Sequence, residues 1–277
     1  MEDSPDSVAA RKVANHIGSE HHEVLFNSEE GIQALDEVIF SLETYDITIV
    51  HASVGMYLIS KYILKNTDSI VIFSGEGSDE LMQGDIYFHI APSPDEAKEE
   101  SERLLKGLYL FDVLRAHQTI TAHGLELRVP FLDHQFCSYY LSLPADMRIP
   151  KNGVEKHLLR ETLEDSNLVP KEILWQPKGA FSDGITSVKN SWFRILQDYI
   201  EHQVDDAMMA VAAQKFPFNT AKTKEGCYYH QFGCHYPSQA DWLTHYWMPR
   251  WINANDPSAR TLTHYKSAAK AWACSEL

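Results

Sequence analysis

An apolar run that opens directly into a glycine-rich turn constrains the fold of this chain most. Ser69–Phe73 read Ser-Ile-Val-Ile-Phe, which is typical of a buried strand. Ser74–Glu80 follow as Ser-Gly-Glu-Gly-Ser-Asp-Glu, which predicts a turn that leads into a helix. Amphipathic helical patterns precede the strand, and this alternation favours a parallel α/β sheet whose ligands bind at the carboxyl ends of its strands. The segment 74–80 is therefore the best site candidate.

The residue types in this segment suit a phosphate that arrives with Mg²⁺. Glycine lets a ligand approach the backbone, and amide groups at such a turn attract phosphate. Three carboxylates, those of Glu76, Asp79 and Glu80, would repel a bare phosphate. They would instead suit Mg²⁺, which prefers one or two carboxylates together with phosphate oxygens. The alternative is an ordinary strand-to-helix turn that Ser78 or Asp79 caps.

The composition narrows the function classes. The chain has 277 residues, 44% of them hydrophobic, with a formal net charge of -15 and a pI near 5.3. An acidic balance argues against nucleic acid as a partner. No apolar run approaches a membrane span and the N-terminus does not look like a signal peptide, so we expect a cytosolic protein without a membrane partner. Its four cysteines are expected to be thiols.

The pattern divides at about residue 91. Residues 1–91 predict a nucleotide-binding α/β part, with helices near Ser7–Ile17 and Glu29–Leu42 and a short strand at Glu23–Phe26. Residues 92–277 predict a mostly helical part. Its expected helices are Glu96–Leu114, Asp133–Leu143, Val154–Leu163, Ser187–His202 and Ser238–Trp247.

A cluster of possible metal ligands lies near residue 230. Cys227, His230, Cys234 and His235 supply zinc-type ligands, but their spacing matches no zinc template well. Neighbouring tyrosines make an aromatic packing segment the favoured interpretation.

Two further segments carry charges without an obvious role. Glu126, Arg128 and Asp133 could form an internal clamp between two helices. Lys178, which precedes the tract Phe181–Gly184, could neutralise charge on a phosphate, although a lone lysine is usually solvated surface.

Four segments of the sequence carry a family resemblance. They are Ser-Gly-Glu-Gly-Ser-Asp-Glu at 74–80, His-Gly-Leu-Glu-Leu-Arg-Val-Pro-Phe-Leu-Asp at 123–133, Glu-Lys-His-Leu-Leu-Arg-Glu-Thr-Leu at 155–163 and Lys-Gly-Ala-Phe-Ser-Asp-Gly at 178–184. Together they resemble the synthetase domain of glutamine-hydrolysing asparagine synthetase, a family of the glutamine amidotransferase type, and look most like its animal members. The resemblance covers nearly the whole chain as a single partial domain, 1–277, and implies an ATP-pyrophosphatase fold, similar to the adenine nucleotide alpha hydrolases, with a mostly helical continuation.

The resemblance also implies a reaction, a ligase step of asparagine biosynthesis. Aspartate attacks the α-phosphate of ATP to give β-aspartyl-AMP and pyrophosphate, and ammonia then displaces AMP. Asp79 would hold Mg²⁺, and Glu76 would form or use the acyl-adenylate. Lys178 would stabilise charge on the transferring phosphate. The nucleotide would lie against Ser74, Gly75 and Gly77.

The chain also departs from the family. No Ser-Gly-Gly-x-Asp-Ser phosphate loop occurs in the sequence, and no cysteine precedes Cys137. We therefore expect a form truncated before the glutaminase domain and the phosphate loop, with absent or very slow chemistry. Two alternatives are a catalytically dead member that binds nucleotide or a full-length homologue, and a different adenylating ligase related to β-lactam synthetase.

Single residues near the motifs differ as well. The family resemblance leads us to expect arginine at His51, tyrosine at Asp85 and arginine at Gln176. Replacing arginine by histidine or glutamine removes a permanent bidentate donor.

Overall fold

A small parallel sheet connects distant parts of the chain and fixes the place of the segment 74–80. The structure, a computed structural model, describes residues 4–176, 178, 192–239, 242–243 and 247–252.

Helices dominate the described residues, and several are joined by short 3₁₀ turns, at Ile86–Ile90, Leu108–Leu110, Pro130–Leu132 and Glu164–Ser166. In chain order the α-helices are α1 (Pro5–Ile17), α2 (Ser28–Gln33), α3 (Leu35–Leu42), α4 (Ile47–Asn66), α5 (Ser78–Met82), α6 (Pro94–Gly107), α7 (Asp112–Thr121), α8 (His134–Ser142), α9 (Ala145–Arg148), α10 (His157–Leu163), α11 (Lys171–Leu174), α12 (Trp192–Gln203), α13 (Asp206–Lys215), α14 (Lys224–Tyr229) and α15 (Phe232–His235).

The sheet consists of β1 (Val71–Phe73) and β2 (Glu126–Arg128), which run parallel. Ile72 lies opposite Leu127, and the amide of Ser74 continues the ladder by donating to the carbonyl of Arg128 at 2.9 Å. Parallel strands need a long crossover, which here contains α5, α6 and α7. The carboxyl ends of both strands lie at one edge, so the segment 74–80 leaves the sheet where ligands bind in such folds.

β1 is more exposed than the sequence predicts. We expected a buried strand, but the exposed fractions of Val71 and Phe73 are 44% and 73%. Among the described residues β1 pairs only with β2, so one of its edges and part of its faces have no neighbour. The expectation of a buried strand is therefore wrong for this chain.

The first helix follows its sequence signals closely. The Ser4 hydroxyl accepts a hydrogen bond from the amide of Ser7, and proline occupies the first turn of α1. Gly18 ends the helix with a φ of 72°, in the left-handed region that glycine adopts at little cost.

Three other predicted elements differ from the structure or lie mostly outside the residues that it describes. The expected helix Glu29–Leu42 divides at Ala34 into α2 and α3. The expected strand Glu23–Phe26 is wrong: this segment has no regular secondary structure, and no described strand pairs with it. The C-terminal helix expected at Ser238–Trp247 lies mostly outside the described residues.

The main core lies where α3 and α4 meet the later helices. Ile39 and Val50 from the first part pack in one cluster with Trp192 and Tyr229, and all four are completely buried. Burying side chains of this size is the largest favourable contribution to folding. The cluster unites residues from both sides of position 91, as does the sheet. A division into two parts at that position stays a prediction.

The helix α4 needs separate comment, because its 20 residues are long and apolar enough to cross a membrane by length and composition. This corrects the expectation that no apolar run approaches a span. Half of its most apolar window is buried inside the protein, where it forms part of the core. Packing of this kind is typical of an apolar helix that forms part of a protein core.

Candidate active site

The turn after β1 depends on one glycine. Gly77 has a φ of 84°, and a Cβ atom there would lie 2.4 Å from the Cγ of Leu132. Both facts require glycine, since a side chain would be strained and would clash. Gly75 has no atom within 4 Å of its Cβ position, so space is open beside it. The Ser74 hydroxyl accepts a hydrogen bond from the amide of Glu76 at 3.3 Å, which closes the turn.

Neither Ser78 nor Asp79 caps the helix that follows. Gly77 is the N-cap residue of α5 and provides no side-chain hydrogen bond. The simple capping interpretation of the segment 74–80 is therefore wrong, and its polar side chains are used in other contacts.

Asp79 lies between two lysines from distant segments. Its Oδ1 atom is 2.9 Å from the Nζ of Lys156 and 2.9 Å from the Nζ of Lys178. Lys156 also donates to the Ser78 hydroxyl at 2.8 Å. Burial alone would raise the pKa of Asp79, but the charges of Lys178 and Lys156 outweigh it and hold the pKa well below its ordinary value. Asp79 is thus an ionised carboxylate at neutral pH.

The approach of Lys156 to Asp79 requires a second glycine. A Cβ atom at Gly84 would lie 2.0 Å from the Asp79 Oδ1 and 2.3 Å from the Lys156 Cε. Any other residue would push these two side chains apart. Sequence reasoning missed Lys156 and Gly84, although Lys156 lies in the motif 155–163.

Glu76 points to a different partner. Its Oε1 accepts a hydrogen bond from the Nη2 of Arg115 at 2.8 Å, and the Nη1 of Arg115 lies 2.9 Å from Asp112. Burial raises the pKa of Glu76 above its ordinary value, and Arg115 opposes that rise only in part. Arg115 is itself only 9% exposed. Arg115 and Asp112 both lie on α7, and no local motif distinguishes them from ordinary helix surface.

Two further acids make the site strongly acidic. Burial raises the pKa of Glu80 well above its ordinary value, and the nearby charges of Asp112 and Asp85 add to the rise. Burial, with the charge of Asp79, raises the pKa of Asp85 to about 7. These two carboxyl groups therefore hold protons more readily than exposed acids do, which limits the negative charge beside Asp79.

The clamp predicted at Glu126, Arg128 and Asp133 does not form. Arg128 pairs with Glu126 within β2, and about half of each side chain is exposed. Asp133 caps α8 by accepting from the amides of Gln135 and Phe136, so no clamp joins two helices. The tract Phe181–Gly184 lies outside the described residues.

The histidines of the cluster near residue 230 contact backbone, aromatic and carboxylate groups. His230 contacts the carbonyl of Gly226 at 2.7 Å and stacks near Tyr45, while His235 contacts Asp36 at 2.8 Å. Within the described part of the chain no group of three or more histidine, cysteine or acidic side chains is arranged to hold a metal ion. The aromatic packing interpretation is the better one.

A glycine turn lies at the end of a parallel strand, with an ionised aspartate between two lysines, and such turn amides and ammonium groups can attract phosphate. The sequence matches the protein-family profile for asparagine synthase over residues 1–98 and 91–253. The chain belongs to this family, as the motifs indicated.

Curated relatives agree. The chain is 85% identical over 272 residues to an asparagine synthetase [glutamine-hydrolyzing] of Mesocricetus auratus, and 84% identical to the one of Homo sapiens. A Gallus gallus protein of the same description is 76% identical over 269 residues. These matches cover 97–98% of this chain and 48% of each relative. The chain therefore spans about half the length of the curated relatives that it matches.

The raised pKa of Asp85 predicts a pH-dependent stability. An unfolded aspartate has a pKa near 3.8 and the folded residue about 7, so between these values the folded chain binds more protons. The free energy of unfolding should therefore fall as the pH rises through this range. Asp85→Asn should remove the share of this dependence that comes from Asp85 and raise stability at pH 8 by more than about 1 kcal/mol.

Urea unfolding at pH 5, 6, 7 and 8 measures this effect. Asp68→Asn, at an exposed acid outside the site, should leave the pH dependence unchanged. Parallel pH profiles for the parent and Asp85→Asn would contradict the assignment.

Proposed function

We propose that this site binds ATP with Mg²⁺ and converts aspartate to asparagine through β-aspartyl-AMP. The observation that carries the proposal is the contact of both lysine ammonium groups with the Asp79 carboxylate at the end of β1. Family membership and the four motifs support it. A cytosolic location stays a prediction.

The first step needs charge neutralisation. The side-chain carboxylate of aspartate attacks the α-phosphorus, the bond from that phosphorus to the bridging oxygen breaks, and pyrophosphate leaves with the electron pair. Lys156 and Lys178, which both contact Asp79, would neutralise the departing charge. Ser74, Gly75 and Gly77 would lie against the nucleotide, and the open space at Gly75 fits a close approach.

The residues present also fit Mg²⁺. Asp79 is ionised, and a single carboxylate suffices because Mg²⁺ takes its other ligands from phosphate and water. When bound, the ion would supply further positive charge to the phosphates. Asp79 is the residue that would hold it.

The second step forms the amide. Ammonia attacks the β-carbonyl carbon of the adenylate, AMP leaves with the electron pair, and one proton must leave the nitrogen. Glu76 is the proposed acceptor, because Arg115 fixes its carboxylate and its raised pKa favours taking up a proton.

An alternative is a folded chain without turnover that binds nucleotide or a full-length homologue. The exposed apolar side chains of Ile70, Val71 and Phe73, which lie in or beside β1, favour such association.

Mg²⁺-dependent ATP binding tests the roles of the site. By isothermal titration calorimetry, Mg²⁺ should strengthen ATP binding to the parent chain, and Asp79→Asn should abolish that gain. Lys178→Met should weaken binding at least about tenfold with or without Mg²⁺, because it removes a charge rather than a metal ligand. Asp68→Asn is the matched control for Asp79→Asn. Equal Mg²⁺ dependence in the parent and Asp79→Asn would refute the assignment of Asp79.

Turnover gives a separate test. Residues 1–277 contain no Ser-Gly-Gly-x-Asp-Ser motif, so this polypeptide alone, with ATP, Mg²⁺, aspartate and ammonium, should release pyrophosphate slowly. Asp79→Asn should abolish the release, Glu76→Gln should slow asparagine formation, and glutamine should not replace ammonium. Glutamine-dependent activity would contradict the prediction. If the parent, Asp79→Asn and Glu76→Gln are all folded and none releases pyrophosphate, the result would favour the non-catalytic alternative.

A further inference from the structure

Arg160 makes an unusual set of backbone contacts near the site. Its Nε donates to the carbonyl of Glu155 at 2.8 Å. Its Nη1 donates to the carbonyl of Gln176 at 3.0 Å and also to that of Leu174. One guanidinium on α10 therefore joins the start of its own helix to the segment that follows α11.

Both segments lead directly into a lysine of the site. Lys156 follows Glu155, and Lys178 lies two residues after Gln176. The two lysines are 22 residues apart in sequence, by subtraction of 156 from 178, yet their Nζ atoms meet the same Asp79 oxygen. Arg160 is thus hydrogen-bonded to the backbone within two residues of each lysine.

The backbone at Lys156 needs an external restraint. Its φ is 52°, a left-handed conformation that is unfavourable for a residue with a Cβ atom and persists only where the surroundings enforce it. The preceding Glu155 is 2% exposed, and its Oε1 contacts the Nε2 of His89 at 2.6 Å. Arg160 holds the carbonyl of Glu155 and His89 holds its side chain, so two contacts fix the residue before Lys156.

We propose that Arg160 is a positioning residue that holds Lys156 and Lys178 at Asp79. The expectation that Arg160 strengthens phosphate binding rests on the proposed function. The expectation that it positions the two lysines does not. Lysine cannot replace it, because an ammonium is a compact charge on a flexible stem, while the planar guanidinium presents several donors in fixed directions.

Amine labelling tests the positioning directly. Limited acylation of the unliganded chain, followed by mass spectrometry, gives a rate for each lysine. Arg160→Lys should raise the rates of Lys156 and Lys178 about tenfold, the factor that about 1.4 kcal/mol of lost restraint produces. The rate of Lys61, which pairs with Glu37 outside the site, should not change.

The controls separate positioning from general damage. Arg103→Lys alters another arginine that bonds a carboxylate and a distant backbone carbonyl, that of Met248, and it should leave both rates unchanged. Asp79→Asn should raise both rates. It serves as the positive control, because it releases Lys156 and Lys178 from the Asp79 carboxylate. Arg160→Gln serves as a second variant, and thermal unfolding confirms that each sample is folded.

Pyrophosphate binding completes the test. Arg160→Lys should weaken the binding of pyrophosphate with Mg²⁺ about tenfold. In a chain that carries Lys156→Met and Lys178→Met, it should cause less than about a twofold further loss, because it acts through those lysines.

The outcomes are distinct. Labelling rates within about twofold of the parent in both folded Arg160 variants, while Asp79→Asn raises them, would overturn the inference. Faster labelling in the Arg160 variants, with no pyrophosphate or ATP binding by the parent, would support the positioning role and refute the proposed function. Faster labelling of lysines throughout the chain would show general loosening and would also overturn the inference.

Discussion

The contact of one ionised aspartate with two lysines is the interaction on which the rest of this site depends. Burial alone would raise the pKa of Asp79, but the charges of Lys178 and Lys156 outweigh it and keep Asp79 ionised. The same contact holds two cations close together, and their repulsion is tolerable only because the carboxylate lies between them. Phosphate oxygens could also offset the repulsion between the two ammonium groups, so the arrangement favours a ligand rich in negative charge.

Acidic side chains around Asp79 would repel such a ligand, but burial lowers the negative charge that they carry. Glu80 and Asp85 have raised pKa values, so they carry less negative charge near neutral pH than their number suggests. Arg115 offsets Glu76 and Asp112 through direct contacts. Asp85 is the exception to the expected pattern, because the resemblance predicts a tyrosine there. It introduces a group that titrates near neutral pH beside Asp79.

The sequence predicts the framework of the site better than its contacts. The apolar run before Ser74 predicts β1, and the glycine pattern predicts the turn, because both signals are local. The motifs also select Asp79 and Lys178, which the structure brings together. Local sequence patterns do not predict Lys156 and Arg115 as site residues, because their contacts with the segment 74–80 join residues that are 78 and 39 positions apart in the sequence. The exposure of β1 could not be predicted either, since an apolar run does not reveal how many neighbouring strands cover it.

The most direct test of the central claim is a crystal structure of this chain with Mg²⁺ and a non-hydrolysable ATP analogue. The account predicts that phosphate oxygens contact the Nζ atoms of both Lys156 and Lys178, with Mg²⁺ bound by Asp79. It also predicts that the nucleotide lies against the turn at Gly75. A nucleotide bound elsewhere, with Asp79 still contacting both lysines, would contradict it.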